Sequence, residues 1–193
     1  PSSTVGVEDV RAIAISVGSR HALAELGIAD IFTANNSKIK KIHISDAGHM
    51  GRVCLSAEDY RLPYFGKVVS LSDVETELYE RISHVGSGIE LVSSSSVAGI
   101  CNDSLGKIIV TDNGKEYHAS TVLISEGSDN KLCQSFGVDY VRKDFGQTAI
   151  VTSIKFSHPI PSLAWERFTA SGPLAILPIG NNLYSVVWTV NAV

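Results

Sequence analysis

A charged pair, Glu166 and Arg167, stands inside two apolar, strand-like runs that meet at Gly172-Pro173 and end at Pro178. Consecutive residues of a strand point to opposite faces, so the two cannot be a bonded pair. One belongs on an exposed face; the other lines either a sheet interface or a ligand cavity, and a structural role is as well supported as a functional one. Gln147, an uncharged amide at a strand start, can hydrogen-bond a substrate hydroxyl or pin a loop. Arg11 borders an apolar run and reads by residue type as a surface cation. Its planar donor fork would also suit a phosphate or a ribose. His43 and His49, with Asp46 between them, have strand-and-turn spacing and no further ligand, which favours satisfied or exposed histidines over a metal or a proton relay. Ser125-Glu126-Gly127 is not a nucleophile elbow, because no glycine precedes the serine at the required spacing. Cys54, Cys101 and Cys133 are far apart and form no C-x-x-C arrangement, so reduced thiols in the cytosol are expected and zinc is not.

The elements that must position these groups follow from periodicity and capping. The run from Arg11 to Ile15 leads into Ser16, a helix cap; Leu23 and Leu26 share a helical face and Gly27 supplies the stop. A second short helix is expected over 29–34. Residues 41–45 and 52–56 form a hairpin about Asp46-Ala47-Gly48. Ser72 to Glu75 reads as a capping box, opening a helix with Val74, Leu78 and Ile82 on its core face and Gly86–Gly88 at its end. Strands are expected over 89–93, 97–101, 107–111 and 116–118, with a turn at Asp112-Asn113-Gly114. A buried strand over 121–125 and a short helix over 129–136 come next. From Gln147 onward the chain is nearly all strand (147–156, 163–170, 174–179 and 183–190), with Pro159, Pro161 and Pro173 in connections. The fold class is therefore mixed α/β. One layer, from 1–36 and 67–140, interleaves with an antiparallel β-sheet layer from 37–66 and 141–193.

Within that sheet Thr148, Ile150, Thr152, Ile154 and Phe156 share a strand face, as do Ala175, Leu177 and Ile179, and Tyr184, Val186 and Trp188. Such stripes serve equally as core or as the wall of an apolar ligand site. Bulk properties narrow the partners. The 193 residues carry a net charge of −4, with 44% hydrophobic and 19% charged residues. No basic run exceeds Lys40-Lys41, which argues against nucleic acid and against a polybasic membrane anchor. No window reaches the ~18 uninterrupted apolar residues of a spanning helix, so membrane contact is expected to be peripheral at most. The terminal residues lack a natural start and stop where a strand finishes, as in an internal fragment.

The segments Arg11–Ser16, Gly18-Ser19, Leu26-Gly27, Ile42–Gly48, Ser56–Tyr60, Gly66–Leu71, Asp144–Ala149 and Glu166–Pro178 together resemble the flavoprotein aromatic hydroxylases of the p-hydroxybenzoate-hydroxylase fold. They are most similar to the branch that hydroxylates octaprenyl phenols in ubiquinone biosynthesis. The resemblance implies a partial FAD-binding domain (1–36 and 67–140) and a β-sheet substrate domain (37–66 and 141–193). It implies an NAD(P)H-dependent monooxygenase in which FAD and oxygen hydroxylate the ring of a polyprenylated phenol. It places Arg11, Ser70, Glu126 and Gly127 on the cofactor side and Gln147, Arg167, Phe168, Leu177 and Trp188 on the substrate side. No metal and no catalytic base is assigned. The family's Gly-x-Gly-x-x-Gly turn would lie upstream of Pro1 and its Gly-Asp segment beyond Val193. Its internal Asp-Gly motif reads Glu126-Gly127, where the longer side chain puts the cofactor contact in question, and its usual Ser and Arg are Asn130 and Cys133. A cytoplasmic, peripherally membrane-associated enzyme is expected, free to form a homo-oligomer or to associate with other enzymes of the pathway. The alternatives are a flavin hydroxylase of a small soluble phenol and a non-catalytic interaction module.

Overall fold

The computed structural model describes residues 11–28, 37–84, 86, 88–104, 106–127, 131–138 and 141–192. The chain divides into two compact units, Pro1–Ser87 with Phe145–Val193, and Gly88–Asp144. In the first unit β1 (Ala12–Ser16) runs into α1 (Val17–Glu25), then β2 (Ser37–Ile39), β3 (Lys41–Asp46) and β4 (Arg52–Ser56). A 3-10 turn (Ala57–Tyr60) precedes β5 (Gly66–Ser70) and α2 (Leu71–Ser83). The second unit contributes β6 (Val97–Asp103), β7 (Gly106–Thr111), β8 (Glu116–Ala119) and α3 (Lys131–Ser135). The chain then returns to the first unit with β9 (Gln147–Lys155), β10 (Leu163–Thr169), β11 (Gly172–Gly180) and β12 (Leu183–Asn191).

Local chemistry sets most of these boundaries. Ser16 holds an extended backbone and its Oγ accepts from the Ser19 amide at 3.0 Å, capping α1 as expected. Gly27 turns the chain with φ +74° just past the helix. The helix expected over 29–34 lies outside the described residues. The hairpin of β3 and β4 forms in the register His43↔Cys54. The cap of α2 is displaced from its expected place. Ser70, not Ser72, is the capping residue, and its Oγ accepts from the Asp73 amide at 3.4 Å. Ser72 lies inside the first turn, with its hydroxyl 2.8 Å from that of Ser70. Ser70 wins because β5 runs to that residue before the chain turns helical.

Two sheets build the first unit. The smaller has order β1-β5-β2, all antiparallel. The larger has order β4-β3-β10-β11-β12-β9. Its pairs are antiparallel except that β3 runs parallel to β10, with Trp165 opposite His43 and Arg167 opposite Ser45. The core lies between the two sheets: Val68, Ile39 and Ala164 are buried and partly buried Ala12, Ile42, Phe65, Leu177 and Ile179 pack around them. Close approach is possible at Gly66 because a Cβ there would stand 2.7 Å from the Ile15 carbonyl oxygen. Pro173 is not in a connection. The turn is Ala170-Ser171, and Pro173 pairs with Phe168 inside β11. It is tolerated because the register with β12 begins only at Leu174, beyond the missing amide.

In the second unit β6, β7 and β8 form the expected antiparallel meander, with Gly114 at φ +80° closing the turn onto the Thr111 carbonyl. Segments 89–93 and 121–125 are irregular rather than strands, and Leu123 is 88% exposed. Their apolar pattern suits a ladder, but no described strand of the unit pairs with either. α3 occupies the later part of the helix expected over 129–136.

The displaced cap makes a direct comparison available. Ser70→Ala is expected to lower the free energy of urea unfolding by about 1 kcal/mol, the usual worth of a serine cap. Ser72→Ala is expected to cost distinctly less; equal losses would place the cap back at Ser72.

Candidate functional site

Pairing registers fix which side chains share a face of the large sheet. One row across it reads Arg52, Ser45, Arg167, Leu174, Trp188, Ile150. The next reads Cys54, His43, Trp165, Ile176, Val186, Thr152. On this face His43, Ser45, Phe156, Trp165, Arg167, Leu174 and Ile176 line a cleft of about 250 Å³. An apolar cavity of about 150 Å³ suffices for benzene, so the volume admits a substituted ring. Aromatic rings on this same face brace one end of the wall. The rings of Phe156 and Tyr184 meet edge to face at 4.7 Å and those of Trp165 and Tyr184 lie 5.9 Å apart. Tyr184 is buried and its hydroxyl donates to the Ile160 carbonyl at 3.0 Å, which holds the cluster in one arrangement. At the polar end Arg167 Nη1 donates to Ser45 Oγ at 3.2 Å.

The substrate-side candidates divide between the two faces. Arg167 and Trp188 share the cleft face, separated by Leu174. Gln147 is opposite Asn191 on the other face and is exposed, and half-exposed Phe168 is on that face too. Leu177 faces the core and packs against the Val68 cluster. Glu166 also turns away from Arg167, between Ile44 and Ala175. His43 and His49 separate as well. His49 Nδ1 pairs with Asp46 at 2.9 Å at the exposed hairpin tip, whereas His43 lines the cleft. No group of three or more potential metal ligands occurs among the described residues.

On the cofactor side Arg11 and Ser70 come together. Ala12 is opposite Ser70 in the small sheet, and the first amide of α2, that of Leu71, donates to the Arg11 carbonyl at 3.0 Å. The backbone of Arg11 thus meets the start of the 13-residue helix α2. The Ser70 hydroxyl itself is engaged in capping. Glu126 and Gly127 belong to the second unit, where both are exposed. There Glu126 lines a cavity with Ser96, Gly99, Lys131 and Ser135, and Gly127 has φ +87°. Sequence reasoning had not placed Ser45 at a site and had set His43 aside. Only the parallel pairing of β3 with β10 reveals them, and strand patterns do not encode a partner 122 residues away.

The small sheet also gathers cations. Lys67, 7% exposed, pairs across the ladder with Lys38, and both ammonium groups lie over the Tyr64 ring, at 6.0 and 5.7 Å. Burial, and then the charges of Arg20 and Lys38, hold the Lys67 ammonium below the ordinary lysine value of 10.5.

No family model matches the chain. It is 24% identical over 181 residues to the ubiquinone hydroxylase UbiL of Rhodospirillum rubrum, covering 94% of this chain and 42% of that protein. It is 24% identical over 180 residues to the 3-demethoxyubiquinol 3-hydroxylase of Escherichia coli strain K12, covering 93% of this chain and 46% of that one. The chain thus spans less than half the length of these curated relatives. Klebsiella pneumoniae HpxO, solved in complex with FAD and uric acid, superposes with a TM-score of 0.77 at 14% identity over 97% of this chain and 49% of that one. The chain has the fold of the FAD-dependent monooxygenases. No helix among the described residues is long and apolar enough to cross a membrane.

Lys67 supplies a test of the electrostatics. A lysine held below 10.5 makes the native state bind fewer protons than the unfolded chain, so its penalty is full at lower pH and vanishes as pH rises through 10.5. Lys67→Met is therefore expected to gain stability over the parent chain most at neutral pH, with the gain shrinking toward pH 10.5. A constant difference in chemical denaturation across that range would show that Lys67 carries no such penalty.

Proposed function

We propose that the chain is the middle part of an FAD-dependent monooxygenase that hydroxylates the ring of a polyprenylated phenol in ubiquinone biosynthesis, using NAD(P)H and oxygen. The observation that carries this reading is the cleft itself. It is a flat aromatic and aliphatic wall with one guanidinium at its end, on a chain aligned over 93–94% of its length with ubiquinone hydroxylases. Residues 1–36 and 67–140 are assigned to the cofactor domain and 37–66 with 141–193 to the substrate domain. Bound FAD would supply the redox chemistry that activates oxygen. Arg11 would hold its charged phosphate or ribose portion, and Glu126 and Gly127, in the other unit, are proposed as cofactor-side residues in their own right. Arg167 and Trp188 serve the substrate from the cleft face. Gln147 and Phe168 lie on the opposite face, away from a ring on that wall, and Leu177 supports the wall from the core.

In this arrangement the chain binds and orients the ring on the Trp165 wall, and the apolar sheet keeps water from the reacting centre. The absence of charged side chains between Arg167 and Ile150 along the row suits an apolar substituent lying across β11, β12 and β9. The enzyme would work in the cytoplasm, reaching lipid-borne substrate through peripheral contact with the membrane.

The test is turnover by the full-length protein with and without a short prenyl chain on the phenol. Prenylated substrate is expected to raise kcat/KM for NAD(P)H-dependent hydroxylation by at least about tenfold, since each buried methylene contributes about 0.8 kcal/mol. Stimulation by unprenylated phenols alone would favour the small-phenol hydroxylase.

A further inference from the structure

We propose that His43 and Arg167, on neighbouring parallel strands, form the phenol-activating end of the cleft: His43 accepts the proton of a ring hydroxyl and Arg167 holds the phenolate that results. The proposal rests on the reading of this face as the substrate wall. His43 and Ser45 are two residues apart on β3 and therefore face the same way, about 7 Å apart along the strand. β10 sets Trp165 beside His43 and Arg167 beside Ser45. A ring lying on Trp165 thus has the imidazole at its flank and the guanidinium one strand position further on, and all four residues line one cleft.

The charge distribution favours an anion there. Lys41, Arg52 and Arg167 are the charged side chains that β3, β4 and β10 turn to this face, with Cys54 the other titratable group opposite His43. Asp46 and Glu166, the carboxylates of those strands, turn to the other face. β9, β11 and β12 carry no carboxylate. A phenolate would be the first negative charge on this face of the sheet, among three cations. Ser45 takes one N–H of Arg167, which leaves most of the guanidinium donors for a ligand oxygen. The serine fixes the side chain without neutralising it, as a carboxylate partner would.

The step balances. The ring O–H bond breaks, an N–H bond forms on the imidazole, and the electron pair stays on oxygen. Its charge is delocalised into the ring, which becomes the better nucleophile toward activated oxygen. Arg167 lowers the cost of that charge by hydrogen bonding to it.

Two probes and two variants test this on the chain itself. 4-Nitrophenol ionises to a coloured phenolate; 4-nitroanisole has the same ring and cannot ionise. Binding is followed by quenching of the tryptophans, and ionisation by absorbance. 4-Nitrophenol is expected to bind wholly as phenolate at neutral pH, where the free phenol is still partly neutral and an ordinary imidazole is largely unprotonated. Arg167→Met is expected to weaken its binding roughly ten- to a hundredfold, as for loss of a hydrogen bond to a charge, and to leave 4-nitroanisole within about twofold. His43 is read separately by calorimetry. With His43 present the proton stays on the protein, so the binding enthalpy is expected not to depend on the buffer. In His43→Asn the proton passes to the buffer and the dependence appears. Equal effects of Arg167→Met on both probes, or capture of neutral 4-nitrophenol, would overturn the role of Arg167. Buffer-dependent enthalpy in the parent chain would remove His43 as the acceptor. If neither probe quenches the tryptophans of the parent chain, the cleft is not an aromatic site, and the functional reading falls with the proposal.

Discussion

The site depends on one pairing, that of Lys41–Asp46 with Leu163–Phe168. The two segments are far apart in sequence, and they run parallel in a sheet whose other pairs are antiparallel. Parallel pairing requires a long crossover, which here contains β4, β5, α2, the whole second unit and β9. A slip of one residue would turn His43 and Ser45 to the core and bring Ile42 and Ile44 onto the cleft. Register is held by burial: Ile42 and Ala164 are adjacent across this pair, and both belong to the core built on Val68. The hydrophobic core and the polar end of the cleft are therefore two faces of a single constraint.

That constraint explains the division of labour in the large sheet. One face carries Ala164, Leu177 and Ile42 against the small sheet, where close approach at Gly66 lets β1 and β5 lie tight. The other carries Trp165, Leu174, Ile176 and Trp188, still partly open, with Arg167 among them. Alternation along each strand separates Glu166 from Arg167, so the charge that lines the cleft is a cation oriented by a neutral hydroxyl.

Much of the first unit was legible in the sequence. Local signals work where the cause is local: Ser16 before α1, Gly27 after it and the 41–56 hairpin are all encoded within a few residues. Legibility failed where a second segment decides. Residues 121–125 have the apolar content of a buried strand but no ladder partner among the described residues, and Ser72 was passed over as a cap because β5 extends to Ser70. The stripe Ala175, Leu177, Ile179 looked interchangeable with Tyr184, Val186, Trp188. Register puts Leu177 and Trp188 on opposite faces, because Trp188 is opposite Leu174 and not Ala175. The same blindness hid His43, whose histidine-rich neighbourhood pointed to Asp46 while its own side chain faced the other way.

The central claim is that the Trp165 face receives the aromatic ligand and the Val68 face is closed core. Methyl-selective NMR during titration with a small phenol tests it most directly. The methyl signals of Leu174, Ile176 and Ile150 are expected to shift with a single saturating affinity, while those of Leu177, Ile42 and Val68 stay in place. Shifts confined to the Leu177 and Val68 side, or an unmoved Leu174 and Ile176 at saturation, would contradict the account.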